Sequence, residues 1–200
     1  MDHRYIFYMV VGYLAGSMLF ALEYPKIFKG VDVRRLSEDG NPGTYNAFVY
    51  GGIGCGILTL LSELAKGFMP VFLCGRQLGM DSLWFAGVMA APVAGHAFSI
   101  FHRGKGGKAI AVSFGVLAGL FPVYRPFISL VIFYLLFSLV LPVRSHRKRS
   151  LITFACVGLS CFFTAEPPAV LTGVLLLSGI VVYKHCICTE EESREENAAV

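Results

Sequence analysis

The run Lys105-Gly106-Gly107-Lys108 sets two glycines between two lysines. Glycine lets a backbone N–H approach an anion closely and lysine adds positive charge. The composition therefore suits a phosphate, above all if Lys108 opens a helix and the helix N-terminus adds its own field. A flexible, positively charged anchor at a membrane surface would have the same composition, and these residues alone leave both readings open. The run is not a Walker A loop: Lys108 is followed by Ala109, and the upstream glycine that loop requires is His102. Just before it stands Gly95-His96-Ala97-Phe98. His96 lies near the end of an apolar run, where an ionisable side chain is either functional or packed and hydrogen-bonded.

A second polar cluster fills the stretch from Gly30 to Asn46, with Gly40-Asn41-Pro42-Gly43 as turn formers. A loop of this length either connects or carries a site. Glu63 and Lys66 interrupt an apolar run three residues apart, so on a helix they share a face, and mutual neutralisation is the preferred reading. Ser150 follows Arg147-Lys148-Arg149 and reads most simply as an N-cap. Tyr183-Lys184-His185 closes the last apolar run, as an interfacial anchor or as part of a site.

The elements that must position these residues follow from composition. The 200 residues are 56% hydrophobic and 15% charged, with a mean hydropathy of +0.66. That excludes a disordered chain, a disulfide-rich mini-domain and an ordinary soluble enzyme. Apolar segments cover about 5–22, 47–75, 83–101, 109–123, 127–143, 151–165 and 168–183, which predicts an all-α membrane bundle of about seven helices. Five crossings with a re-entrant pair would keep the same parity. The first segment reads as a retained helix rather than a cleaved signal. With the N-terminus outside, the inner stretches carry thirteen Lys and Arg residues, against Arg4, Arg76 and Arg125 on the other side. That asymmetry predicts an N-out, C-in orientation, with the polar clusters facing the cytoplasm. Residues 1–188 are expected to form one membrane-embedded domain, and 189–200 an acidic, disordered tail. The net charge of +4 gives no reason to expect nucleic-acid binding. Cys55, Cys74, Cys156 and Cys161 sit in apolar runs, and Cys186 with Cys188 lacks partners at zinc spacing, so no metal is expected.

The order of these motifs resembles the bacterial membrane glycerol-3-phosphate acyltransferases of the PlsY type, over almost the whole chain. The residues that carry the resemblance are Gly16-Ser17, Asp32-x-Arg34 with Gly40-Asn41-Pro42-Gly43 and Asn46, and Glu63-x-x-Lys66-Gly67. Gly95-His96-x-Phe98 with Lys105-Gly106-Gly107-Lys108, Ser150, and Tyr183-Lys184-His185 complete the set. The resemblance implies a multi-pass protein of the bacterial cell membrane with its active site toward the cytoplasm. It implies acyl transfer from acyl phosphate to glycerol 3-phosphate, giving lysophosphatidate for phospholipid biosynthesis, with no cofactor and no coenzyme A. By the same resemblance Lys105, Lys108, His96 and His185 are expected at the chemistry. Arg34, Gly40, Asn41, Gly43, Asn46, Gly106, Gly107 and Ser150 are expected around the substrate phosphates, with the acyl chain between helices. Proton removal is implied to be substrate-assisted.

The chain departs from the family pattern at several positions. Glu38-Asp39-Gly40-Asn41 stands for Gly-Ser-Gly-Asn, so Asp39 replaces a phosphate-binding serine. Val49 replaces an arginine, Ala109 a glycine and Cys188 an asparagine. A carboxylate at the position of Asp39 repels a phosphate at close range. Two other readings therefore stand beside the enzyme: a repurposed relative that binds phosphate-bearing lipid precursors, and a small transporter. The transporter would call for mid-membrane polar residues in several spans, and only Glu63 and Lys66 qualify.

Overall fold

The structure, a computed structural model, describes residues 2–164 and 166–198, with side chains through Cys186. The described residues are helical and contain no strand. α1 (His3–Ser17) starts at Asp2, whose carboxylate accepts from the Arg4 N–H at 3.0 Å. It stops at Ser17, and the chain bends by 42° into α2 (Phe20–Lys29). The apolar pattern alone predicts one helix through this point. The break is stabilised from outside: the Lys66 ammonium donates to the carbonyls of Gly16 and Met18 at 2.9 and 2.6 Å, satisfying a helix end that lies inside the protein.

The over-long segment 47–75 is divided for a similar local reason. After the short α3 (Val33–Leu36), α4 (Thr44–Gly51) ends at Gly52, whose φ of 83° is accessible to glycine. α5 (Ile53–Leu78) then runs on as the long helix carrying Glu63 and Lys66. α6 (Trp84–Ala97) ends in a 3-10 turn at Ile100–His102 and an irregular stretch that reaches α7 (Ile110–Ala118). α8 (Arg125–Leu135) continues as a π-helical stretch, Leu136–Val140. α9 (His146–Phe163) and α10 (Pro168–Ala198) complete the chain. Backbone helix thus continues through residues expected to be an unstructured tail. Glu and Ala are good helix formers, and extending an existing helix needs no new nucleus. The tail's side chains lie outside the described residues.

α6 is the hub, packed most extensively on α1 and α10, while α5 packs on α7. These crossings use glycine where backbones meet. A Cβ at Gly16 would strike the Pro92 carbonyl, and one at Gly95 the Tyr13 carbonyl. Gly67 and Gly115 stand equally close to the Val112 and Leu64 carbonyls. Phe85, Met89, Val93 and Leu177 fill the interior, whereas Phe7, Ile53, Leu139 and Phe163 face outward at more than 60% exposure. An apolar exterior of this kind is stable against lipid. Among the described residues three helical stretches are long and apolar enough to cross a membrane: Ile53–Leu78, Trp84–His102 and Pro168–Cys186. The bent pair α1–α2 makes a fourth if counted as one span.

Candidate active site

Two cavities open side by side where α4, α7, α8 and the two irregular loops meet. The first, about 540 Å³, is largely apolar, with Leu60, Leu64, Ile110, Phe114 and Phe127 in its wall and His96 at its end. The second, about 520 Å³, is polar, with Asp39, Asn46, Arg147, Ser150 and His185 in its wall. Asn41, Tyr45, Lys108, Ile110 and Tyr134 border both. Lys108 thus stands at the junction of an apolar cleft and a chamber lined by Glu38, Asp39, Arg147 and amides.

Each loop residue is held by a specific contact. Asp32 caps α3 by accepting from the Arg34 N–H, and Arg34 in turn donates to the Lys105 carbonyl at 2.6 Å. Arg34 therefore ties the first loop to the second. The N–H of Gly107 donates to the His96 carbonyl at 3.0 Å, so it closes the loop on the end of α6 and is not turned toward an anion. A Cβ at Gly106 would strike the His96 carbonyl. One at Gly107 would lie 2.5 Å from His96 Nε2 and 3.1 Å from the Pro42 carbonyl. The two glycines serve close backbone approach more than an anion cradle. Lys108 does not open α7: Ala109, at φ 59°, precedes the first helical residue Ile110.

Beneath the loops lies a buried ionic cluster. Glu63 Oε2 is 2.9 Å from both Lys66 Nζ and His96 Nδ1, and Lys66 also lies 3.0 Å from His96 Nδ1. Glu63 Oε1 accepts a well-aligned hydrogen bond from Lys66 at 3.0 Å, whereas Oε2 is held by charge proximity rather than by bond alignment. The pairing of Glu63 with Lys66 is as the spacing predicts. His96 as the third member is not legible from spacing, because thirty residues of sequence separate it from Lys66.

In the polar chamber Asn46 Nδ2 donates to Asp39 Oδ1 at 3.0 Å and to the Asn41 carbonyl at 2.9 Å. Lys108 Nζ donates to Asp39 Oδ2 at 2.8 Å. Burial by itself would raise the Asp39 pKa, but Lys108 and Asn46 outweigh it and hold the carboxyl below its ordinary value of 3.8. His185 Nδ1 donates to the Val181 carbonyl at 2.8 Å. Ser150 is not the N-cap of α9. Ser145 takes that place, accepting from the Lys148 N–H at 3.4 Å, and Ser150 lies a turn further in, donating to the His146 carbonyl at 3.0 Å. Polar residues before the apolar segment extend the helix beyond it.

Of the expected site residues, Asn41, Asn46, Lys108, Ser150 and His185 meet in the polar chamber, and Gly43 and His96 border the apolar cleft. Arg34, Gly40, Lys105, Gly106 and Gly107 stand outside both linings and act on loop geometry. Arg147, Tyr45 and Tyr134 also line the site, and the sequence does not single them out. Arg147 is one of three consecutive basic residues, Arg147-Lys148-Arg149, and nothing in that run distinguishes it, while the two tyrosines carry no spacing signal. Among the described residues no three His, Cys, Asp or Glu side chains could hold a metal ion. The side chain of Cys188 lies outside them.

Fold and site together define a helical membrane-type protein in which an apolar cleft meets a chamber walled by charged groups of both signs and by amides. The chain belongs to the glycerol-3-phosphate acyltransferase family, whose model matches residues 6–188. A glycerol-3-phosphate acyltransferase of Pseudomonas aeruginosa is 33% identical over 177 residues, 88% of this chain and 89% of that one. Glycerol-3-phosphate acyltransferase 2 of Bacillus cereus is 35% identical over 178 residues, 88% of this chain and 85% of that one. The crystal structure of PlsY, an integral membrane glycerol 3-phosphate acyltransferase in its glycerol 3-phosphate form, superimposes with a TM-score of 0.81. It shares 27% identity and covers 98% of this chain and 93% of that one. The lysophosphatidic acid form of the same enzyme gives a TM-score of 0.79 at 26% identity.

Proposed function

We propose that this protein transfers an acyl chain from acyl phosphate to the 1-hydroxyl of glycerol 3-phosphate in a bacterial cell membrane, releasing lysophosphatidate and phosphate. The observation that carries the reading is the junction at Lys108, where an apolar cleft large enough for part of an acyl chain meets a polar chamber holding Lys108, Arg147 and the Asn41 and Asn46 amides. Family membership supports the acceptor, and the two-chamber arrangement supports a donor that is both acyl and phosphate.

The chemistry needs little covalent help from the protein. The acceptor hydroxyl oxygen forms a bond to the acyl carbon, the bond from that carbon to the bridging phosphate oxygen breaks, and the hydroxyl proton leaves with the released phosphate. The protein holds two anions together and stabilises the departing charge. Lys108, at the junction, is assigned the phosphate of the donor, with Lys105 adding positive charge from the rim. Asn41 and Asn46 orient oxygens through their amides. His185, Ser150 and Arg147 surround the acceptor, and Gly40 and Gly43 shape the loop above it. Arg34, Gly106 and Gly107 position Lys108, and His96 anchors that loop at the end of the cleft. The thirteen-to-three distribution of Lys and Arg supports an N-out, C-in orientation with the site on the cytoplasmic side, for seven crossings as for five with a re-entrant pair.

The test is phosphate release from palmitoyl phosphate by the detergent-purified protein, with and without glycerol 3-phosphate. Release that depends on glycerol 3-phosphate and is lost in Lys108→Ala, with the fold intact, is the expected result. Full activity in Lys108→Ala overturns the assignment of Lys108. Absence of release from the wild type overturns the enzymatic reading in favour of a lipid-phosphate binder.

A further inference from the structure

Lys108 is the cation that both cavities share, and its ammonium is already matched. Asp39 Oδ2 lies 2.8 Å from Lys108 Nζ, while Asp39 Oδ1 accepts from Asn46 Nδ2 at 3.0 Å and from the Asn41 N–H at 3.2 Å. One carboxylate thus occupies the Lys108 ammonium that the proposed function gives to phosphate, the Asn46 amide that it gives to substrate oxygens, and the backbone N–H of Asn41. Carboxylate and phosphate oxygens are both anionic acceptors and compete for the same N–H groups. If both approached Lys108, they would repel each other across the few ångströms that separate them.

The pair is built to open. The side chains of Asp39 and Lys108 are 37% and 22% exposed, so solvent screens their attraction and a competing anion can reach them. Asp39 lies in the loop between α3 and α4, where no helix fixes its side chain. The buried Glu63–Lys66 pair, by contrast, is only 1% and 3% exposed.

We propose that Asp39 is a built-in competitor for phosphate: its carboxylate holds Lys108 and Asn46 in the geometry of an occupied site, and a phosphate binds only by displacing it. The inference rests on the proposed function for the identity of the ligand, but it concerns the affinity of the site and not turnover. The consequence is a threshold. A ligand held through its phosphate alone, such as inorganic phosphate, bears the full penalty of displacement and binds weakly. A substrate that also fills the apolar cleft or the glycerol position has further contacts to offset it. The reaction's own phosphate product therefore leaves readily.

The test is calorimetric titration of inorganic phosphate into detergent-purified wild type, Asp39→Asn and Asp39→Ser. Asn keeps the size and an acceptor for Asn46 without the charge, and Ser opens the space, so a folding defect in one leaves the other to decide. Both variants are expected to bind phosphate about tenfold or more tightly than wild type, the scale of one charge-assisted hydrogen bond. Adding Lys108→Met to Asp39→Asn should remove the gain. Unchanged or weaker phosphate binding in the variants, no binding in any of the proteins, or a gain that survives Lys108→Met overturns the proposal. Acyl transfer from palmitoyl phosphate is measured on the same preparations. Tighter phosphate binding without transfer sinks the enzymatic reading alone; transfer with unchanged phosphate affinity sinks the competitor alone.

Discussion

Replacing Glu63 with leucine should reveal how much the fold depends on the charge cluster beneath the site. Glu63 and Lys66 are 1% and 3% exposed, so neither is stabilised by water. Deleting one member of a buried ion pair costs about 3–5 kcal/mol, because the remaining charge is left uncompensated. Lys66 keeps the carbonyls of Gly16 and Met18 as acceptors, which moderates the loss toward the lower end, about 3 kcal/mol. Removing Lys66 as well, as Glu63→Leu with Lys66→Met, eliminates the stranded charge. It leaves those two carbonyls without their donor and His96 Nδ1 without either partner, at about 1–3 kcal/mol for each group that finds no other. The double variant should therefore be less unstable than the two single losses summed, because each single variant strands a buried charge and the double strands none. Strict additivity would instead add the cost of losing Lys66 to that of losing Glu63. The assay is reversible unfolding in mixed micelles of increasing SDS fraction, followed by the fluorescence of the single tryptophan, Trp84, at the start of α6. A Glu63→Leu variant within about 1 kcal/mol of wild type would refute the buried-charge reasoning. So would a double variant as unstable as the sum of the two single variants.

The apolar cleft and the Asp39 pair give two further expectations. Leu64→Trp adds bulk to the wall of the cleft and should shorten the acyl chain that is accepted. Rates across a series of acyl phosphates of increasing length would show the longest donors losing most, and a uniform loss at all lengths would place the chain elsewhere. The folded-state pKa of Asp39 is lowered below its ordinary 3.8, so its stabilising contribution is fully present above that value and is lost as pH falls through the folded-state pKa. With 37% of the side chain exposed, that contribution is below about 1 kcal/mol. The stability difference between wild type and Asp39→Asn should be flat from neutral pH down to about 5 and converge only in stronger acid, measured by thermal unfolding across pH.

The sequence carried the helical membrane class because it depends on composition and local runs, and the same local runs marked loops that border the two cavities. Apolar segments, a basic side and glycines between lysines are local signals. Helix breaks were less legible. The end of α1 at Ser17 depends on Lys66, which comes from a different helix and satisfies the exposed carbonyls there. The role of Gly107 depends on the distance to His96, which no spacing rule contains. Asp39 reads from sequence as a charge hostile to phosphate, and in the structure the same charge is neutralised by Lys108. Ser150 reads as a cap because it begins an apolar segment, but helix α9 begins earlier, in the basic run, where Ser145 has the free helix end.

The interruptions of the apolar segments are what make the site possible, since irregular backbone near lipid must find its partners inside the protein. The bend after α1 is closed by Lys66, the first loop is tied to the second by Arg34 on the Lys105 carbonyl, and the second loop is tied to α6 by the Gly107 N–H on the His96 carbonyl. These contacts fix the backbone around Lys108 before any ligand arrives, so little reorganisation is left for the moment of reaction. Lys108 itself is held differently, by the partly exposed Asp39 carboxylate that we propose a phosphate displaces. A fixed backbone with an exchangeable counter-ion lets the site accept one phosphate and release another without moving the loops. Mutations at Arg34 or Gly107 should accordingly impair the geometry of the site, whereas Asp39→Asn, which keeps an acceptor for Asn46 and the Asn41 N–H, should change what Lys108 holds and leave that geometry in place.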